Sequence, residues 1–226
     1  MTGRDGIAIP YGVEQWPLER LADVRAKRLA GLPLAAARPG AMLRINGDAL
    51  DLPPPVPSEA NMPMTMRIAA HLKRLCGGWN VNAARFIDRY FAFLDHQIAH
   101  HRAELDARLK PFDGLFRAED FIYSAPLPLP HALLAAPDFV KADFAFWLGD
   151  RMVAVLLAPS PLTPIAARRR KERLTAAGIA LTECTAADLN DPNFAWFAAT
   201  LGPEASRFWQ GEALPAAPSA SPLPDF

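Results

Sequence analysis

The chain has 226 residues, enough for one sizeable domain with extensions or for two small ones. Basic and acidic residues number 24 each, so the net charge is zero; this excludes a protein whose whole surface is a nucleic-acid footprint and leaves room only for a local basic patch. A hydrophobic share of 51% is ample for a packed core, yet no apolar stretch approaches the ~20 residues that span a bilayer, so no membrane partner is expected.

The first residues, Met1-Thr-Gly-Arg-Asp-Gly, carry no hydrophobic segment after a basic start. No secretory leader is expected there, and cytoplasmic residence is. Residues 1–60 are rich in proline and alanine and read as an N-terminal arm. Within it, Pro17 to Leu29 is helix-like, with Leu18, Leu21, Val24 and Leu29 on roughly one side. Asn46-Gly47 supplies the positive backbone angles of a tight hairpin turn, between Met42, Leu43 and Ile45 before it and Leu50 and Leu52 after it. Pro53-Pro-Pro-Val-Pro57 cannot continue a ladder and reads as an extended linker, which marks a boundary.

Residues 61–210 read as the main unit. A helix is expected over about 65–76, with Ile68, Leu72 and Leu75 inward and Arg67, Lys73 and Arg74 outward, ended by Gly77-Gly78. A long helix follows over about 82–109; Phe86, Ile87, Tyr90, Phe91, Phe93, Leu94 and Ile98 make its apolar face wide enough for more than one neighbour. Its last turns, from His100 to Lys110, are polar and are expected to project into solvent. Strands are expected at 121–124, 140–148, 151–157 and 179–184, with a basic helix at 165–177 and a short helix at 188–199. Residues 211–226 are Ala, Pro and Ser with little to bury and are expected to form a disordered tail. The fold class is α/β (α+β): a mixed central sheet of about four strands flanked by helices, behind a Pro-rich N-terminal extension.

The chemistry gathers around Asp143. Ala142-Asp143-Phe144-Ala145-Phe146 opens one strand, and the Gly149-Asp150 turn leads to the next. The helix that follows contains Arg170-Lys-Glu-Arg-Leu174-Thr-Ala-Ala-Gly178, and the last strand runs into Leu181-Thr-Glu-Cys-Thr-Ala-Ala-Asp188-Leu189. Over about residues 119–190 this order resembles the PD-(D/E)xK nuclease superfamily, nearest to small bacterial endonuclease-like domains related to very-short-patch repair enzymes. The resemblance implies a restriction-endonuclease-like core with Asp143 as its first carboxylate. It also implies a second acid near Leu156 and a lysine near Ala158, where this chain reads Val155-Leu-Leu-Ala-Pro159. Such sites use converging carboxylates to hold hard divalent ions that activate water and neutralise phosphate charge. Leucine and alanine do neither. If the chain is active, Glu172 and Lys171 on the basic helix are the substitutes, with Glu119 and Asp120 as further acids before the first strand, and Mg²⁺ is then the cofactor.

Other candidates are weaker. His96 and His100 share a helix face, continued by Glu104, a spacing that suits zinc, but a solvated helix end explains them as well. Arg168, Arg169, Arg170 and Arg173, together with Arg67, Lys73 and Arg74, could track phosphates; a solvated helix face is the alternative. Cys76 and Cys184 lack metal-type spacing and read as buried thiols, and Trp147, Trp196 and Trp209 read as packing residues rather than base platforms.

The functional expectation is a non-catalytic interaction or assembly subunit on a degenerate nuclease-like fold, without a cofactor. It would bind a protein partner and, as a further option, nucleic acid. The alternative is a Mg-dependent DNA endonuclease with a migrated site at Asp143, Glu172 and Lys171.

Overall fold

The computed structural model describes residues 7–12, 33–45, 50, 61–77, 80–112, 114–135 and 139–201. The helix expected at 17–29, the Asn46-Gly47 turn, the 53–57 linker and the C-terminal tail lie outside them. Two short strands, β1 (Ile7–Pro10) and β2 (Leu34–Ala37), pair antiparallel. Helix α1 covers Met64–Leu75, α2 Val81–His100 and α3 Arg102–Leu109. Strands β3 (Leu129–Pro130), β4 (Leu133–Leu134), β5 (Val140–Lys141), β6 (Phe144–Trp147) and β7 (Met152–Leu157) follow. Helix α4 (Pro164–Ala176), β8 (Ala180–Cys184) and α5 (Ala186–Asn190) come next, then a helix over 195–201, here α6.

The main sheet has the order β3-β6-β7-β8. Its first two pairings are antiparallel and the last, β7 with β8, is parallel, so α4 is the crossover between them. The fold is thus a mixed α/β arrangement with a four-stranded mixed sheet, as the alternation of apolar runs and a basic helix implied.

Alternation along β6 decides what each face meets. Phe144 and Phe146 turn toward α2, where Phe86 stacks on Phe144 at 4.2 Å between ring centroids and Tyr90 meets Phe146 at 5.5 Å. Phe197 of α6 joins Phe86, Tyr90 and Phe93. Each of these fully buried rings contributes about 1.5–3 kcal/mol. The Tyr90 hydroxyl donates to Pro126 O at 2.5 Å, so its polar tip is satisfied inside the core. Asp143, Ala145 and Trp147 turn the other way, toward α4 and the N-terminal segment. There the Trp147 indole donates to Arg38 O and Ala41 O at 2.9 and 2.8 Å. Leu43 donates to Trp147 O and accepts from Leu127 N, and Ile9, Tyr11, Ala35, Ala37, Leu43 and Ile45 share one core with the sheet.

Four expectations meet corrections. The 121–124 run is part of a 3-10 helix, Ala118–Ser124, because Asp120 accepts from Arg117 N at 2.8 Å and Ala125 N bonds Ile122 O; short apolar runs do not distinguish strand from turn. The long helix breaks at His101, and α3 bends back so that Leu105 and Leu109 are buried rather than solvated. The 188–199 helix divides around Phe194 (φ +54), because the Asp191 carboxylate accepts from Asn193 N and Ala195 N and starts a new helix. The 140–148 strand is interrupted at 142–143, though its partner keeps one register from Leu129↔Ala145 to Leu134↔Val140. The cause is His131 opposite, at φ +47.

Candidate functional site

Asp143 stands where β6 begins, and its backbone N–H donates to Val155 O of β7. Continuing the β6–β7 register by one step sets it beside Leu156, and Leu156 pairs in turn with Glu183 of β8. Asp143, Leu156 and Glu183 therefore form a row across the sheet beneath α4. Two strand spacings separate the outer pair, roughly 9.6 Å between backbones. Ala145 and Ala154 continue the same face of the sheet.

Helix α4 starts cleanly: Thr163 accepts from Ala166 N at 3.3 Å, and Pro164 needs no donor at the first position. Its sheet-facing side is unusual, because the two residues it buries are Arg170 and Leu174. The Arg170 guanidinium faces both Asp143 oxygens at 3.4 Å, and Leu157 N–H donates to Asp143 Oδ2 at 2.8 Å. The two side chains are only 4% and 12% exposed, so this is a buried ion pair rather than a surface contact. One helical position further, Lys171 pairs with Glu183 at 2.5 Å, half in solvent. Each acid of the row thus receives one cation from α4, and an apolar leucine stands between them.

His131 extends the row on the far side, its backbone N–H donating to Asp143 O at 2.8 Å. Its ring Nε2 lies 3.1 Å from Cys76 O, while Nδ1 is buried without a hydrogen-bond partner among the described residues. Burial above all, helped by the Lys141 charge, pulls the His131 pKa down to about 4, so the ring is neutral near pH 7. Burial likewise pushes the Cys184 thiol up to about 12, which leaves it a core residue rather than a nucleophile.

The other expected site residues are dispersed. Glu172 points outward to Arg168 at 3.4 Å, and Lys171 turns to Glu183, so neither joins Asp143. Glu119 bonds Arg102 at 2.5 Å and Asp120 is occupied with Arg117 N. Of the four arginines expected on one phosphate-facing side, Arg168, Arg169 and Arg173 are exposed, but Arg170 is turned under the helix. His96 lies against the Phe194 ring, and His100 against His101. The break at His101 carries Glu104 off their line, toward Arg108 at 2.7 Å and His101 at 3.4 Å. Among the described residues no group of three or more His, Cys, Asp or Glu converges, and no helix is long and apolar enough to cross a membrane.

Reading the sequence missed His131 and Glu183. For Glu183 the signal was available, since a period of two puts it on the same face of its strand as Leu181, an acid among otherwise apolar or small positions. For His131 there was none, because its burial arises from α1 packing over the β3 end. No family model, curated protein or solved structure matches this chain. The site is therefore judged on its own donors. A divalent ion of the kind the nuclease likeness implies needs several anionic oxygens free to ligate. Here Asp143 is filled by a guanidinium and an N–H, Leu156 offers nothing, and Glu183 faces Lys171. This donor set does not fit that ion.

Proposed function

We propose that the protein is a non-catalytic interaction or assembly subunit built on a restriction-endonuclease-like scaffold, working in the cytoplasm with a protein companion. The likeness to the PD-(D/E)xK superfamily is supported by the strand order β3-β6-β7-β8, with two antiparallel steps, a helical crossover and a parallel last step. The observation that carries the non-catalytic reading is the closed Asp143–Arg170 pair. Opening it to seat a cation would strand a buried guanidinium whose Nε has no hydrogen-bond partner among the described residues. An arginine that neutralises the first carboxylate, next to a leucine in place of the second, suits a scaffold that keeps its shape and not its reaction. Arg168, Arg169 and Arg173 remain on the outer face of α4 as the place where nucleic acid would touch, if the companion brings any.

The test is incubation of the purified protein with supercoiled plasmid in Mg²⁺ or Mn²⁺, beside Asp143→Ala. The expected result is no metal-dependent cutting by either. Cutting by the wild type that disappears in Asp143→Ala overturns the proposal in favour of a metal-dependent endonuclease.

A further inference from the structure

A groove of about 490 Å³ runs along the α1–α2 hairpin, with Ile122 at its base. It lies on the side of α2 away from the sheet, since Asp88 and Asp95 of its wall stand about 140–180° around the helix from Phe86 and Tyr90, with Phe91 on the flank between. Its floor is apolar: Met66, Ala69 and Ala70 come from α1 and Phe91 from α2. Met66 is 56% exposed, a large apolar side chain left in solvent. The lining residues repeat at helical spacing on both walls, Met66, Ala69/Ala70 and Lys73 on one and Asp88, Phe91 and Asp95 on the other. Each wall covers two turns, about 10 Å of helix.

The ends of the groove differ in charge. At one end Lys73 is ion-paired with Asp88, and Arg74 adds a second cation to the lining. The helices run antiparallel, which places Met66 near Asp95 at the other end. Asp95 is an exposed rim residue with no ion-pair or hydrogen-bond partner among the described residues, and its partial burial raises its pKa. A carboxylate held against an apolar floor without a cation is a site where an incoming cation gains more than it would in water.

We propose that this groove docks an amphipathic helix of a partner protein, laid on the hairpin as a third helix. Its apolar side chains at i, i+3/i+4 and i+7 cover Met66, Ala69, Ala70 and Phe91, and a lysine or arginine at one end meets Asp95. Helical spacing on both walls favours a helix over an extended strand. The two alanines let the axes approach closely, while methionine adapts to the side chains it receives. Helix α4 of a second copy fits poorly, since it is strongly basic and has no apolar stripe to offer, and a copy docked by another face is separated by the self-association readout below. This inference rests on the interaction-subunit reading and names the partner's chemistry.

The probe is a labelled synthetic amphipathic helix of about 18 residues, long enough to cover the groove (~27 Å). Leucines at i, i+3, i+4 and i+7 form its stripe, with lysine at the end position; a second peptide carries glutamate there. Binding to the full chain is read by fluorescence anisotropy. The lysine peptide is expected to bind about tenfold more tightly, since exchanging attraction for repulsion at a half-exposed pair amounts to about 1–2 kcal/mol. Asp95→Lys reverses the preference. Ala70→Trp fills the groove and weakens both peptides, with Met66→Glu as a second blocking variant should the tryptophan disturb folding. Equal affinity of the two peptides, or indifference to Asp95→Lys, overturns the proposal. So does self-association that Ala70→Trp abolishes, which would give the groove to a second copy. Plasmid cutting dependent on Asp143 would sink the non-catalytic reading while leaving these affinities unchanged, so the two failures are distinguishable.

Discussion

Replacing Arg170 with alanine tests the central geometry. It leaves the Asp143 carboxylate beneath α4 with one remaining donor, Leu157 N–H at 2.8 Å. Removing one member of a buried ion pair costs about 3–5 kcal/mol, because the other charge stays desolvated. The 3.4 Å contacts are long, and the Leu157 bond persists, which places this pair at about 3 kcal/mol. For a chain of this size each kcal/mol shifts Tm by roughly 2–4 °C, so a drop of about 10 °C is expected. Asp143→Ala costs a similar amount by stranding the guanidinium. The double variant Asp143→Leu/Arg170→Met recovers most of the loss, since an apolar pair of similar volume needs no desolvation. Urea unfolding of the wild type, the single variants Asp143→Leu and Arg170→Met and this double variant, with slopes compared as well as midpoints, measures the coupling. Single-variant losses below about 1 kcal/mol, the range of exposed pairs, refute the reasoning, as does simple additivity in the double variant.

Three further outcomes are expected. His131 titrates near 4 when folded and near 6.5 when unfolded, so the unfolded chain binds the proton first. Its contribution is complete above about pH 6.5 and is lost as pH falls toward 4, which amounts to about 2 kcal/mol between pH 7 and pH 5. His131→Asn tolerates the positive φ and removes this titration, so its urea midpoint falls less over that interval; an equal fall would count against a buried neutral ring. Asn80→Ala removes the side-chain acceptor of Ala83 N at the start of α2 and should cost about 1 kcal/mol in thermal or urea melts. Gly149→Ala should lower Tm by more than an ordinary turn substitution. Its φ is +102, a conformation that costs a side-chain-bearing residue about 1–3 kcal/mol, while the added methyl itself would make only ordinary contacts with Met42 N at 3.4 Å and Ala41 C at 3.5 Å.

Much of the fold was legible where one local rule was strong. The α1 and α4 ranges follow from helical periodicity and from stops at Gly77 and Gly178. Strands β7 and β8 follow from apolar runs bounded by turn residues. Legibility failed where side chains bond their own backbone across a few residues. Asp120 turned an apolar run into a 3-10 helix, and Asp191 started a new helix inside an apparently continuous one. It failed again at His101, where buried Leu105 and Leu109 bent a polar segment back onto the core.

For the site, the residues alone determined that Asp143 opens a strand, that Leu156 and Ala158 on the next run carry neither charge nor ligand atoms in their side chains, and that a basic helix follows. These are facts of composition and period, which one dimension carries. Which of four consecutive basic residues turns inward was decided only by tertiary structure. The choice depends on the rotation of α4 about its axis beside the sheet, and that rotation put Arg170 on Asp143 and Lys171 on Glu183. Burial of His131 and the placing of Asp95 on the rim of the α1–α2 groove likewise arise between elements distant in the chain. Desolvation and ion pairing depend on what surrounds a group in space, and sequence neighbours supply only a small part of that.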